Sequence, residues 1–328
     1  VGFKWLFDVY GALYNEGMSK LVRWLRRGHG ISLYAAVVVG FMVLVIVQGA
    51  VVRATGSGNG CGNHWPLCNG DFFPHHPRIA TIIEYMHRSL SGVVGWLVVG
   101  LIAWTFLARS KGHRARRAVV WTGLLLLTEA LLGAVLVKGG YVEANASVAR
   151  VVVQGVHFSN TLLLLAAMTV SWWWLGEREE VALDRRGRIV AWTALGTTLI
   201  VGATGAVAAL ADTLFPSPSL SAALMQDFAA NAPLLIRMRW LHPAAAVVAL
   251  GCAIWLSWNL RSRIGRVVLG LIVLQLVLGV GDVLLLAPTW MQVLHLLGAD
   301  IYWIALVAAC SGVMVSEHAL ERTKKAGF

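Results

Sequence analysis

Four histidines in this chain fall inside apolar stretches: His87, His157, His242 and His295. Ionisable side chains at membrane depth are costly, and where they occur they usually serve a function. Each of these four lies in the first few turns of an even-numbered hydrophobic segment, the second, fourth, sixth and eighth. Even-numbered spans cross a bilayer in the same direction, so the four imidazoles are expected at one membrane face and at similar depth. Gln154-x-x-His157 is echoed by Gln292-x-x-His295, and Glu84-x-x-His87 by Arg239-x-x-His242. Two imidazoles facing each other across a helix bundle can ligate a haem iron. Two such pairs point to two haem sites in two related halves.

The residues one turn before two of these histidines differ in kind. Glu84 lies three residues before His87, on the same helix face. A carboxylate at this depth must pair, titrate or ligate, and beside a haem it can accept or donate protons. Pairing with Arg88 is the plainer alternative. Arg239 takes the matching place in the second half, and with Arg237 it suits haem propionates, although an interfacial arginine can also simply snorkel. Cys61 and Cys68 sit in a glycine-rich external loop with His64 and Pro66 between them. An oxidising exterior favours a disulfide. A structural staple, a redox-active pair and a metal site with His64 all remain open. The loop glycines are no phosphate-binding loop, because no Gly-Lys-Ser/Thr follows. His64, His75 and His76 read as ordinary loop histidines, and Cys252 and Cys310 as small core residues.

Placing these groups requires a membrane scaffold. The chain has 328 residues, 58% hydrophobic and 13% charged, with mean hydropathy +0.71. That composition excludes a soluble globular protein. Eight spans are expected, at about 31–53, 81–107, 118–137, 149–175, 189–210, 236–259, 267–287 and 291–315. The net charge of +11 follows from topology rather than from nucleic-acid binding. Most of the Lys and Arg residues fall in the N-terminal segment, the 2–3, 4–5 and 6–7 loops and the tail, which sets both termini in the cytoplasm and the four histidines toward the outside. Residues 1–30 lack the cleavage site of a signal peptide. Trp5, Leu6, Val9, Tyr10 and Leu13 share one face there, the pattern of an amphipathic surface helix.

The basic linker 176–188 divides the chain. The expectation is an all-α membrane protein of two duplicated four-helix bundles, 31–175 and 189–316, with a cytoplasmic segment 1–30 and a tail 317–328. Glu129-x-x-x-Gly133 in span three matches Gln275-x-x-x-Gly279 in span seven. Both halves start on the same side, so they are expected to be related by an axis along the membrane normal. The first external connection, about 54–80, holds both external cysteines. Its counterpart, about 211–235, has none, and Leu220, Ala223, Leu224 and Phe228 allow a short helix lying on the membrane.

Three further stretches carry a resemblance. Gly49-Ala-Val-Val-Arg53-Ala-Thr55-Gly-Ser-Gly58, then Cys61 to Trp65-Pro66-Leu67-Cys68-Asn69-Gly70, then Glu84-Tyr85-Met86-His87-Arg88, together resemble the haem A synthase family over nearly the whole chain. The resemblance implies oxidation of the C8 methyl of haem O to a formyl group by successive hydroxylations, for respiratory oxidase assembly. It implies a substrate site in the first half, with His87 and His157 flanking the porphyrin and Glu84 beside the reacting methyl. It implies a haem B cofactor in the second half, ligated by His242 and His295, and a Cys61–Cys68 disulfide. The second cysteine pair of some members is missing, which leaves an electron route through two disulfides without its second step. The implied setting is a bacterial or archaeal plasma membrane. Lipid, haem O, haem O synthase, oxidase assembly factors and further copies of the chain are the implied partners; nucleic acid is not among them. The rival readings are a di-haem, quinol-linked cytochrome b and a haem carrier or transporter.

Overall fold

The computed structural model describes residues 28–176, 178, 184–260 and 262–312. The expected amphipathic segment before residue 28, the tail 317–328 and part of the linker lie outside the described residues. Eight helices are long and apolar enough to cross a membrane, as expected, and the chain is a multi-pass, all-α membrane protein. In chain order the helices are α1 (Gly28–Ala54), α2 (Ile79–Ala108), α3 (Ala115–Lys138), α4 (Val148–Leu175) and α5 (Arg185–Leu214). There follow α6 (Leu220–Asp227), α7 (Leu234–Met238), α8 (Leu241–Leu260), α9 (Arg263–Leu284) and α10 (Thr289–Ser311). Inside a bilayer the backbone must satisfy its own hydrogen bonds, and a helix does this within one segment. The ends use local chemistry: Ser147, Asp184 and Ser262 each cap a helix by accepting from the backbone N–H three residues on.

Span six departs from expectation. The sequence reads as one unbroken stretch over 236–259, whereas the structure breaks it into α7 and α8 at Arg239–Trp240. Pro243 is the physical cause. It has no N–H to give to the Arg239 carbonyl, and its ring clashes with a continuing helix. The His242 N–H bonds the Arg239 carbonyl instead. His242 therefore sits in the first turn of a new helix. The expected short helix in the second external connection is present as α6.

In the first half α1 packs on α2, α2 on α3, α3 on α4 and α4 back on α1. In the second half α5 packs on α8, α8 on α9, α9 on α10 and α10 back on α5. The two sets meet through α1 and α4 against α5 and α10. The buried core runs along that seam, with Val38, Met42, Leu164, Leu165, Leu256 and Leu306 almost fully enclosed. Two polar ties cross it. The Trp303 indole donates to the Leu162 carbonyl at 2.8 Å, and Arg53 reaches from α1 to the Ala209 carbonyl at 2.7 Å and to Gln292 Oε1 at 2.8 Å. At the opposite end of α4, Arg178 stacks on Trp172 and Trp173 and Arg114 on Trp174, an aromatic and basic belt of the kind found at a membrane–water boundary.

The loop between α1 and α2 folds down onto the start of α2. Gly60 makes that approach possible: a Cβ there would lie 2.4 Å from the carbonyl of Ala80, a backbone atom with nowhere to go. Thr81 Oγ1 donates to the Gly60 carbonyl at 2.8 Å. Gly60→Ala is expected to destabilise this loop by about 1–3 kcal/mol. Hydrogen exchange over 55–80 should speed up while helical circular dichroism holds. Gly92→Ala, where a Cβ meets nothing within 4 Å, is the control and should leave exchange in the loop unchanged.

Candidate functional site: four imidazoles on four glycines

Each of the four membrane histidines rests against a glycine of the preceding membrane helix. A Cβ on Gly49 of α1 would lie 3.0 Å from Cε1 of His87 on α2, and one on Gly133 of α3 would lie 4.0 Å from Cε1 of His157 on α4. On Gly205 of α5 it would lie 2.9 Å from Cε1 of His242 on α8, and on Gly279 of α9 it would lie 3.2 Å from Cε1 of His295 on α10. A missing side chain on one helix thus makes room for an imidazole on the next. The residue one turn before each glycine faces the same ring or its backbone. The Val201 carbonyl lies 3.1 Å from His242 Nδ1. The Val45 carbonyl stands in the same place toward His87, short of hydrogen-bond geometry. Glu129 Oε1 lies 3.4 Å from His157 Nδ1, and Gln275 Nε2 donates to the His295 carbonyl at 3.3 Å.

The imidazoles come together as pairs within each half. The rings of His242 and His295 stand edge to face with centroids 6.3 Å apart. His87 and His157 are close enough for a charge on one to act on the other. Among the described residues no three His, Cys, Asp or Glu side chains gather around a common point, so these pairs do not build a metal site from protein ligands alone. Pairs are what a porphyrin requires, since it supplies the other four ligands itself. The residues fit a haem on two observations. Glycines line the helix opposite each ring, and Nδ1 of His87, His157 and His295 is buried without a hydrogen bond. Where Nδ1 of His242 is engaged by a carbonyl, Nε2 on the far side of the ring is left to a metal, the usual second-shell arrangement.

Glu84 is 3% exposed and both its oxygens are engaged. Oε2 accepts from the Cys61 backbone N–H at 2.8 Å, and Oε1 accepts from the Arg88 guanidinium. Arg88 in turn donates to the Leu67 carbonyl at 2.6 Å. Cys61 and Cys68 are joined as a disulfide, so of the three readings left open by the residues the metal site falls away: the thiolates are not free to hold a metal with His64. Glu84 and Arg88 therefore clamp the closed loop from both ends, Cys61 and Leu67, onto the helix that carries His87.

The second half is polar in a way the sequence did not display. Arg239 stands where Glu84 stands in the first half, as expected. Its guanidinium meets Asp212 at 2.9 Å and Asp227 at 2.7 Å, and donates to the Ala223 carbonyl. Its hydrogen-bonding edges thus already face carboxylates. Arg237 is exposed and lines a cavity of about 430 Å³ with Asp227, Phe228, Leu234, Trp240 and Leu241. Arg53, Asp212 and Asp227 were missed as site residues. Arg53 lies in the stretch that carries the resemblance, but nothing local shows that it reaches Gln292, three residues before His295.

The comparisons with known proteins agree with this geometry. The model of the cytochrome oxidase assembly protein family COX15-CtaA matches residues 32–307. A Thermus thermophilus protein named protoheme IX farnesyltransferase is 40% identical over 303 residues, covering 89% of this chain and 49% of that protein. Heme A synthase of Exiguobacterium sibiricum is 33% identical over 140 residues, 43% of this chain and 44% of that protein. Heme A synthase of a second Exiguobacterium strain is 32% identical over 178 residues, 54% of this chain and 56% of that protein. The chain spans about half the length of the curated relatives it matches. With eight membrane helices, paired imidazoles and a family model that runs through all four of them, the chain belongs to the COX15-CtaA family of cytochrome oxidase assembly proteins.

Proposed function

We propose that this chain oxidises the C8 methyl of haem O to a formyl group, giving haem A by successive hydroxylations. The observation that carries the reading is the twofold set of imidazole pairs on glycines, with unlike polar neighbours in the two halves. His87 and His157 would flank haem O as substrate, and His242 and His295 would hold a haem B. A bis-histidine haem B supplies one-electron transfer when bound. Arg237, exposed at the mouth of the second half, is the arginine better placed for a propionate. Arg239 would act through the carboxylates it already holds.

In this reading Glu84 is the carboxylate at the reacting edge. One turn before His87, it accepts a proton from the methyl carbon under oxidation or stabilises positive charge developing there. The Cys61 N–H and Arg88 hold it in one orientation, so little reorganisation is needed when charge develops. The disulfide loop then serves to place Glu84. The apolar farnesyl tail stays between helices and lipid, which explains an enzyme built inside the membrane. The matched Gly–His contacts support an internal duplication, with halves 31–175 and 189–316 around the linker. The weight of Lys and Arg on one set of loops supports cytoplasmic termini and outward-facing histidines. A haem O synthase is the partner of choice, since a relative covering 89% of this chain is named for farnesylating protohaem IX. Oxidase assembly factors and further copies of the chain complete the proposed assembly.

Four measurements test this reading. His242→Ala and His295→Ala should each remove a low-spin haem signal from protein that still inserts; an unchanged haem spectrum in both rejects the cofactor site. Glu84→Gln should keep that signal but make little haem A, with haem O or a hydroxylated product accumulating in chromatograms of extracted haems. Wild-type haem A from this variant rejects the catalytic role. No formyl haem from the wild-type chain supplied with haem O and haem B, whether with dioxygen and a reductant or with an added electron acceptor, favours a di-haem electron carrier. Replacing Cys61 and Cys68 by Ser should cost about 2–3 kcal/mol at most in local order for so short a loop. Loss of haem A with normal haem B content then identifies loop placement, rather than global stability, as the role of the disulfide.

A further inference from the structure

Among the polar groups facing the four imidazoles, one is a side-chain carboxylate aimed at a ring nitrogen. Glu129 lies on α3, one turn before Gly133, and its Oε1 is 3.4 Å from His157 Nδ1. Two side chains of α4 fix the carboxylate there. Asn160 Nδ2 donates to Oε2 at 2.7 Å, and the Thr161 hydroxyl bonds Oε1. Asn160 is itself oriented by Thr128, at 2.8 Å, and by the Leu125 carbonyl, at 3.0 Å. Thr161 also lies 3.0 Å from the His157 carbonyl. The carboxylate is thus gripped by the helix that carries His157, from the two residues one turn beyond it.

The matching position in the second half is Gln275. Its amide turns to the main chain, donating to the His295 carbonyl. Neither His157 Nδ1 nor His295 Nδ1 makes a hydrogen bond, but His157 Nδ1 has a carboxylate oxygen 3.4 Å away, close enough to become its acceptor on a small turn of the ring. At the other two positions the facing residue is a valine, which offers a backbone carbonyl. At the position one turn before the glycine, three of the four residues are therefore neutral, and one is a carboxylate.

We propose that Glu129 is a positioning residue for His157, accepting the Nδ1 proton as a hydrogen bond and so presenting Nε2 to the iron of the porphyrin bound in the first half. This rests on the reading that His87 and His157 flank that porphyrin. A carboxylate on the outer nitrogen fixes the tautomer and raises the basicity of the ligating nitrogen. A more basic ligand favours ferric over ferrous iron, so the first-half site is tuned to a lower potential than a neutral partner would give. Gln275 leaves the second-half site without that bias.

The test compares wild-type protein with Glu129→Gln and His157→Ala, each purified with the second-half haem in place and titrated with haem O. Glu129→Gln should bind haem O about 10–100-fold more weakly, the usual cost of losing a second-shell partner. The midpoint potential of the first-half site should shift upward, with a changed low-spin ferric spectrum, while the second-half signal is unmoved. A purely structural glutamate would not shift the potential of one site and spare the other. If Glu129→Gln loses the second-half signal as well, Glu129→Asp is read in its place. It keeps the charge but withdraws it by one methylene, and should move the same readouts in the same direction by less. If His157→Ala binds haem O like wild type, the first-half site itself is rejected. If His157→Ala abolishes binding while the glutamate variant matches wild type in affinity, potential and spectrum, the role of Glu129 alone is overturned.

Discussion

A polar ring in an apolar helix bundle must be given both room and partners, and the rest of this structure is arranged around supplying them four times. Burying an imidazole without hydrogen bonds costs a few kcal/mol, a penalty that metal ligation offsets. The room comes from Gly49, Gly133, Gly205 and Gly279, each on the helix before the histidine it faces. Without a side chain at these points, the neighbouring backbone leaves a pocket wide enough for the ring and keeps the helices close elsewhere. The residue one turn earlier on the same helix supplies a carbonyl 3.1 Å from His242 Nδ1 and a carboxylate 3.4 Å from His157 Nδ1, while the Nδ1 atoms of His87, His157 and His295 make no hydrogen bond. One helix face therefore sets the space for each imidazole and, at His242, its orientation.

The end of the molecule that carries the disulfide loop is held by three arginines with different tasks. Arg88 and Glu84 bind the disulfide loop to α2 through Leu67 and Cys61. Arg239 gathers Asp212 and Asp227 at the break between α7 and α8, next to His242. Arg53 crosses from the first half to Ala209, Thr213 and Gln292 of the second. Each guanidinium satisfies several acceptors at once, as its forked geometry allows. Removing any one would leave buried or half-buried acceptors unmatched, a larger loss than the bond itself is worth. The arrangement makes the outer rim of the two halves a single polar unit above an apolar seam.

The asymmetry between the halves has a chemical logic. Both have two histidines on glycines, but the first half adds carboxylates at Glu84 and Glu129 while the second substitutes Arg239 and Gln275. The carboxylates of the second half, Asp212 and Asp227, are matched by Arg239. An arginine thus pairs with the rim carboxylates of both halves, Arg88 with Glu84 and Arg239 with Asp212 and Asp227, while Glu129 beside His157 is held by Asn160 and Thr161. In the proposed reaction, that difference would let two similar sets of helices divide substrate oxidation from electron supply.

The sequence by itself determined the spans, the positions of the four histidines within them and the shared helix face of Glu84 and His87. Each of these depends on hydropathy over some twenty residues or on a spacing of three, and both are local properties. The short helix α6 was legible for the same reason. The break before His242 was available in Pro243 but was overridden by the apolar run around it. Only the tertiary structure decided which glycine meets which histidine, because the separations differ from pair to pair: Gly49 to His87 crosses a long external loop, Gly279 to His295 a short one. It also decided that Glu84 closes on the Cys61 backbone, that Arg239 faces Asp212 and Asp227, and that Arg53 reaches the opposite half. Those contacts join side chains between 12 and 239 positions apart. No periodicity encodes such pairs; they exist only once the helices have packed and the remaining polar groups have found the nearest partners left to them.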